Sequence, residues 1–489
     1  MKKRFIILSL LCAAAIRPVF AQDVKQSFEE FRQSLRKDYA DFRQSLLDNY
    51  DKYLEGIWNE YNAFRGVQRD TVPKPVESPV APKDNEPPLV RESDPVSVGD
   101  PIPDTIAEPV IQEPVRRPVV TPPEATDNAF DFYGIRVTVP VADVGMCPDR
   151  IATNEYATLW RQFKRKGIDN RIVPALRQAA SSYKLNDWFT FQLVRTYVAS
   201  HYASSSVPLR VGLTHFLLCH LGYNVRLGQD KADRPLLLVA FKQMVYAHTY
   251  SELNGQRFYV YYDMQAEREG AELLPFYTCE LPADVPAGRP VDLLLTEAPL
   301  IPYKTHHFRI GVDRLTVSGE LNANLMPMIY RYPQMDVECY AYSMLCPDVR
   351  RTVVTQLREQ LQGLPQLQAV NSLLQFVQYA FEYAKDPEQH GFEKPYFFEE
   401  LLFYPKCDCE DRSVFYSYLL WEVLGVENQL VFFPGHACVA VRLDESVNGT
   451  SYRYEGHDFY ISDPTYIGSV TGECMPAYLN TRPVTALSR

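Results

Sequence analysis

The sequence has no concentrated basic tract. Its 50 Lys and Arg stand against 61 Asp and Glu, leaving a formal net charge of −11, and the positive residues fall in scattered pairs. No surface of that kind tracks phosphates, so nucleic acid is excluded as a partner. Beyond residues 1–21 no stretch approaches the ~20 apolar residues that a spanning helix needs, and no transmembrane span is expected. A fully paired cysteine framework is also missing. Ten cysteines, less Cys12 near the N-terminus, leave an odd set, so at least one thiol stays free or pairs outside the chain. What is present is length and apolar mass: 489 residues, 46% hydrophobic and 13% aromatic. These numbers suit two or three domains with sizeable cores.

Residues 1–21 read as a secretory signal. Lys2, Lys3 and Arg4 precede a short apolar run, and Val19-Phe20-Ala21 offers a small-residue cleavage site after Ala21. The mature chain is therefore expected outside the cytoplasm, in the periplasm. Cys12 raises a lipoprotein alternative, which the bulky Leu11 before it disfavours. Residues 22–66 follow as one helical pattern. Phe28, Phe31, Leu35, Tyr39, Phe42, Leu46, Tyr50, Tyr53, Ile57, Tyr61 and Phe64 are spaced as an eleven-residue repeat. At about 3.67 residues per turn such a repeat carries one stripe down an almost straight helix. A stripe of this kind needs a cover, and self-association or docking on a partner helix is the expectation. Residues 67–126 carry prolines from Pro73 to Pro123 that no packed helix or inner strand accommodates, and read as an extended spacer.

From residue 127 the pattern is that of a globular α+β protein. A strand is expected over 130–139, and helices over 152–166, 172–182, 186–204 and 208–221. Strands are expected at 235–249 and 256–263, β structure over 290–330, and helices at 347–363 and 365–384. Two stretches about 200 residues apart resemble each other. Leu217 to Tyr223 parallels Leu419 to Val426, and Phe258 to Asp263 parallels Phe459 to Asp463. Each pairs a helix stopped by glycine with strands ending near an Asp. Where the second has Cys409, the first offers only Ser205-Ser206-Val207-Pro208. A duplicated fold is expected, with 127–345 as a first copy lacking a nucleophile and 346–489 as the catalytic domain.

The chemistry concentrates in the second copy. Pro405 keeps the chain extended, Asp408 suits a helix N-cap, and Asp411 three residues on completes a capping box. Cys409 then lies in the first turn, where unpaired N–H groups favour a thiolate. Glu410 and Asp411 oppose that effect, so a separate base is needed. His436 follows the Pro434-Gly435 turn at the start of a strand, and Asp463 ends a third strand before Pro464. On an antiparallel sheet the two would be neighbours. A carboxylate on one imidazole nitrogen fixes the tautomer that a cysteine nucleophile requires.

Asp408 to Ser413 (Asp-Cys-Glu-Asp-Arg-Ser), Phe433 to His436 and Asp463 to Ile467 resemble the motifs of the transglutaminase-like superfamily, within it a secreted bacterial group; Gly472 and Met475-Pro476 suit that group too. The resemblance spans about residues 370–480. It implies a papain-like fold with Cys409 as nucleophile, His436 as base and Asp463 as the orienting carboxylate, acting on a peptide or protein substrate without a cofactor. It does not choose between hydrolysis and cross-linking. Water is the more available acceptor, which favours a peptidase or amidase. Cys407 departs from the pattern, where Ser or Gly is usual, and raises a disulfide with Cys409. Two other readings stand beside this one. Cys407-x-Cys409 and His436-x-Cys438 have zinc-like spacings, although zinc leaves Asp463-Pro464-Thr465 unexplained. A non-catalytic scaffold would account for the aromatic helix and the long spacer. For oxyanion stabilisation the backbone N–H of Cys409 and the Gln378 side chain are the candidates.

Overall fold

The computed structural model describes residues 128–145, 150–268, 274–312, 314–404 and 406–488, all within one compact unit. The signal, the 22–66 helix, the 67–126 spacer, Cys12, Cys147 and Pro405 lie outside the described residues.

A hairpin of β1 (Ala129–Phe132) and β2 (Ile135–Thr138) opens the fold. Residues 130–139, expected as one strand, are thus broken by Tyr133 and Gly134, both with positive φ. Helices α1 (Thr153–Arg165), α2 (Ile168–Ser182), α3 (Asp187–His201) and α4 (Val207–Leu221) follow. Next come β3 (Val225–Asp230), β4 (Pro235–Ala240), β5 (Tyr250–Leu253), β6 (Gln256–Tyr261) and β7 (Phe276–Thr278). Their order in the sheet is β5-β6-β4-β3-β7, with every neighbouring pair antiparallel. The strand expected over 235–249 ends at Ala240, and β3 is an addition. A long hairpin, β8 (Thr305–Val312) with β9 (Leu315–Asn322), bridges to the second half.

There α5 (Pro347–Leu361) and α6 (Gln366–Ala380) precede β10 (Glu382–Tyr383), which pairs in parallel with β11 (Lys406–Cys407). Then α7 (Cys409–Leu424) leads into β12 (Asn428–Phe433), β13 (His436–Val441), β14 (Ser451–Tyr454), β15 (His457–Ser462) and β16 (Val484–Ser488). This sheet has the order β14-β15-β13-β12-β16, again antiparallel. Position by position that is the order of the first sheet, and in each half the long helix just before the sheet (α4, α7) leads into it through a glycine. The fold is α+β with two antiparallel five-stranded sheets.

Local chemistry explains the matching ends. Gly222 closes α4 and Gly425 closes α7, both left-handed at φ +101° and +65°, a conformation that costs any side chain energy. Pro434 and Gly435 (φ +70°) make the two-residue turn that pairs Phe433 with His436. One apolar cluster runs from Phe130 to Leu487 and is continuous across residue 345. Val439 and Val441 face it, whereas Cys438 and Ala440 face a smaller cluster with Phe459, Ile461 and Cys474 on the sheet's other side.

Within the main core one ion pair is almost dry. Arg350 Nε donates to Glu399 Oε1 at 2.9 Å, with the side chains 3% and 0% exposed. Glu399 Oε1 also accepts from Cys346 N–H, and the guanidinium lies over the rings of Phe398 and Tyr418. Removing one partner leaves the other charged and buried, a loss of about 3–5 kcal/mol. Glu399→Ala is expected to lower the unfolding free energy, read from urea titration, by that amount, whereas a loss under about 1 kcal/mol would show that the pair does not hold α5 in place.

Candidate active site

Cys409 is the first residue of α7. Asp408 before it is extended (φ −115°) and forms a reciprocal capping box with Asp411, whose Oδ2 accepts from Asp408 N–H at 3.3 Å. Asp411 Oδ1 accepts from Tyr396 N–H at 2.6 Å, so a single carboxylate fastens the helix start to a neighbouring segment. Arg412, 1% exposed, completes the anchorage. Its Nη1 donates to the carbonyls of Gln378 and Pro464, and its Nη2 to Phe381 O at 2.7 Å.

His436 begins β13. Asp463 sits one residue past β15, whose last residue pairs with Val439, and the antiparallel register brings the two side chains together. His436 Nε2–H donates to Asp463 Oδ2 at 2.8 Å. Asp463 Oδ1 accepts from the backbone N–H groups of Thr465 at 2.8 Å and Tyr466 at 3.3 Å. Both carboxylate oxygens are therefore engaged, and Nδ1 remains as the basic nitrogen of the ring. Tyr478 stacks on the imidazole, with centroids 5.4 Å apart and planes within 2°, and on Phe433 at 4.7 Å.

The sulfur is placed differently from expectation. Among the described residues Cys409 makes no hydrogen bond to His436; its thiol donates to Glu410 Oε2 at 3.2 Å. The N–H of Ala437, next to His436, reaches the sulfur and favours the thiolate. Ser413 Oγ lies 3.1 Å from Ala437 O, joining α7 to β13 at the same place. Thus the imidazole and carboxylate meet, and the sulfur lies beside them on a carboxylate of its own. Burial, followed by the charges of Glu410 and Asp408, holds the Cys409 thiol well above the usual range.

Cys407 and Cys409 are both free thiols in this structure, and Cys407 is fully buried in β11, where burial pushes its thiol up to about 12. One sequence expectation needs correction. Gln378 cannot serve an oxyanion. Its Nε2 faces the carbonyls of Asp463, Tyr466 and Ser469, and its Oε1 accepts from Gly468 N–H, so it positions the loop that carries Asp463. The zinc spacings fare no better. His436, Cys438 and Asp463 do offer atoms within 4.8 Å of one another. Neither Cys407 nor Cys409 belongs to that group, so among the described residues the two spacings do not come together as one ligand set.

The equivalent place in the first half is filled. Ser206 caps α4, and Arg210 makes a two-pronged ion pair with Asp263, at 2.8 and 2.9 Å. Val207 and Pro235 begin the helix and the strand that Cys409 and His436 begin in the second half.

Sequence reasoning saw Glu410 and Asp411 beside Cys409 but missed the carboxyl groups that join them from elsewhere in the chain. Asp386, Glu393, Asp408 and Glu410 offer oxygens within 4.8 Å of one another. No motif marks Asp386 or Glu393, and Tyr478 lies 42 residues from the ring it covers. Burial and then Glu410 push the Asp386 carboxyl up to about 8. Asp408 and Asp411 are raised by burial and by each other's neighbourhood of carboxylates.

No family model matches the chain, and no curated protein matches it.

A carboxyl whose folded pKa is raised keeps its proton longer in the folded chain than in the unfolded one, where Asp titrates near ~3.9. The folded state then binds more protons, and stability falls as pH rises through this window. In metal-free buffer the urea midpoint is expected to drop between about pH 5 and 8, and Asp386→Asn to flatten that slope. An unchanged slope in the variant would remove Asp386 as its source.

Proposed function

We propose that the chain is a secreted cysteine-dependent acyl-transfer enzyme of the transglutaminase-like, papain-type fold, acting on peptide or amide bonds. The observation that carries this reading is the 2.8 Å contact between His436 Nε2 and Asp463 Oδ2, beside a cysteine at a helix N-terminus. Cys409 is the nucleophile, His436 the base and Asp463 the group that fixes the ring. The thiol proton passes to Nδ1, and the thiolate adds to the carbonyl carbon. The backbone N–H of Cys409, which has no partner within the helix at its first position, supports the oxyanion. The imidazolium then returns its proton to the departing amine as the carbon–nitrogen bond breaks, leaving a thioester on Cys409. Water, deprotonated by His436, attacks the thioester and releases a carboxylic acid and the free thiol. A peptidase or amidase results; an amine in place of water would give cross-linking.

The matching sheet orders support reading the first half as a degenerate copy, its site closed by Arg210 and Asp263. One observation favours a second reading, a non-catalytic scaffold. The thiol is bonded to Glu410 and surrounded by carboxyl groups that disfavour its ionisation.

Alkylation separates the two. The reduced full-length protein is treated with iodoacetamide at neutral pH, and Cys409 modification is followed by peptide mass spectrometry. Cys409 is expected to react about 10-fold or more faster in the wild type than in His436→Ala and Asp463→Ala. Equal rates in all three proteins would leave the scaffold.

A further inference from the structure

His436 stands next to an exposed turn. Pro434 and Gly435 are open to solvent, yet the residue beside them is only 8% exposed, so another stretch of chain covers it. Tyr478 is that cover. Its ring lies parallel to the imidazole, with planes within 2° and centroids 5.4 Å apart, and rests at the same time on Phe433 at 4.7 Å. Phe433 and His436 are partners across the β12–β13 turn. The Tyr478 hydroxyl donates to the carbonyl of Pro434, within that turn, at 3.3 Å. One tyrosine thus spans both rings and the turn that joins them.

The loop that delivers Tyr478 is itself pinned, an observation separate from the stack. Gly472 N–H donates to Ile461 O and Gly472 O accepts from Thr450 N–H, both at 2.7 Å. At Gly449 a Cβ would stand 2.4 Å from Gly472 O, so the two backbones approach at a distance that only glycine allows. Met475 O then accepts from Tyr478 N–H at 2.9 Å, closing a short 3-10 turn over Pro476–Tyr478.

The imidazole needs a second constraint. Among the described residues its ring makes one hydrogen bond, to Asp463. A single bond fixes one nitrogen but leaves the ring free to turn, and the terminal torsion of histidine has broad, roughly two-fold wells. A half-turn exchanges Nδ1 with Nε2. A parallel aromatic ring adds a plane to the point that Asp463 supplies, and point and plane together leave one orientation. From this geometry we infer that Tyr478 is a positioning residue. Its ring holds the imidazole plane, keeps Nε2 on Asp463 and shields that hydrogen bond from water. The consequence for Cys409, a free Nδ1 held ready as base, rests on the acyl-transfer reading; the hold on the ring does not.

Tyr478→Phe, Tyr478→Leu and Tyr478→Ala separate the ring plane from its hydroxyl and from plain apolar cover. In the full-length, reduced, histidine-labelled protein, nitrogen NMR reads the His436 tautomer and the rate at which its Nε2 proton exchanges with water. Tyr478→Phe is expected to keep the wild-type values. Tyr478→Leu and Tyr478→Ala are expected to speed the exchange about 3- to 10-fold, the scale of one aromatic pair, and to mix the two tautomers. Alkylation of Cys409 by iodoacetamide is expected to slow by a similar factor in the same two variants. Circular dichroism checks that each is folded, and Tyr478→Leu carries the comparison where Tyr478→Ala does not fold. Wild-type exchange and tautomer in Tyr478→Leu would overturn the inference, because apolar cover alone would then suffice. A change of equal size in Tyr478→Phe would also overturn it, placing the effect in the hydroxyl. The expected NMR changes together with equal alkylation in wild type and His436→Ala would uphold Tyr478 as the support of the ring and remove the acyl-transfer reading instead.

Discussion

The arrangement of the second half depends on one buried guanidinium. Arg412, one turn into α7, donates to the carbonyls of Gln378 and Phe381 at the end of α6 and to Pro464 beside the acid of the His–Asp pair. Segments brought together from different parts of the chain thereby acquire a fixed relation to the helix that starts at Cys409. Buried carbonyls require donors, and a rigid planar fork supplies several at once. Gln378 repeats the logic from the other side, binding the loop of residues 463–469 through its amide. With both side chains in place, Asp463 has little freedom except to face His436.

Around that frame the electrostatics pull in two directions. The helix N-terminus and the Ala437 N–H favour a thiolate at Cys409, whereas Glu410 and Asp408 oppose it. The sulfur accordingly rests as a thiol on Glu410. Chemistry at this sulfur needs either a proton acceptor, which His436 Nδ1 can provide, or a change in the charge of the acidic cluster. The same carboxylates cap α7 and crowd the thiol, so helix anchorage and thiol protonation draw on one small set of residues.

Much of this site was legible in the sequence because local rules govern it. Asp408 with Asp411 signals a helix start, Gly425 its end and Pro434-Gly435 a tight turn, and these place Cys409 and His436 on their elements. Asp463 was legible because a strand ending in Asp-Pro lies beside its antiparallel neighbour. The parallel between Leu217–Tyr223 and Leu419–Val426 anticipated two sheets of matching strand order. What stayed hidden depends on tertiary contact. The sulfur's choice of Glu410 over the imidazole is a matter of side-chain geometry. Asp386 and Glu393 reach the site from a stretch without a motif, and Tyr478 arrives from beyond the last recognisable turn. Strand β3 escaped notice because Arg226, Gly228 and Gln229 dilute its apolar pattern, although all but Arg226 are buried. The Tyr133-Gly134 turn lacks the Asn-Gly or Asp-Gly signature of tight hairpins.

The central claim is that Asp463 fixes His436 with its proton on Nε2, leaving Nδ1 as the base for Cys409. Nitrogen NMR of the histidine-labelled protein, with His436 assigned by comparison with His436→Ala, reads that tautomer directly at neutral pH. The account predicts a protonated Nε2 and an unprotonated Nδ1 in the wild type, with this preference lost in Asp463→Ala. A wild-type ring carrying its proton on Nδ1, or a tautomer indifferent to Asp463→Ala, would contradict it.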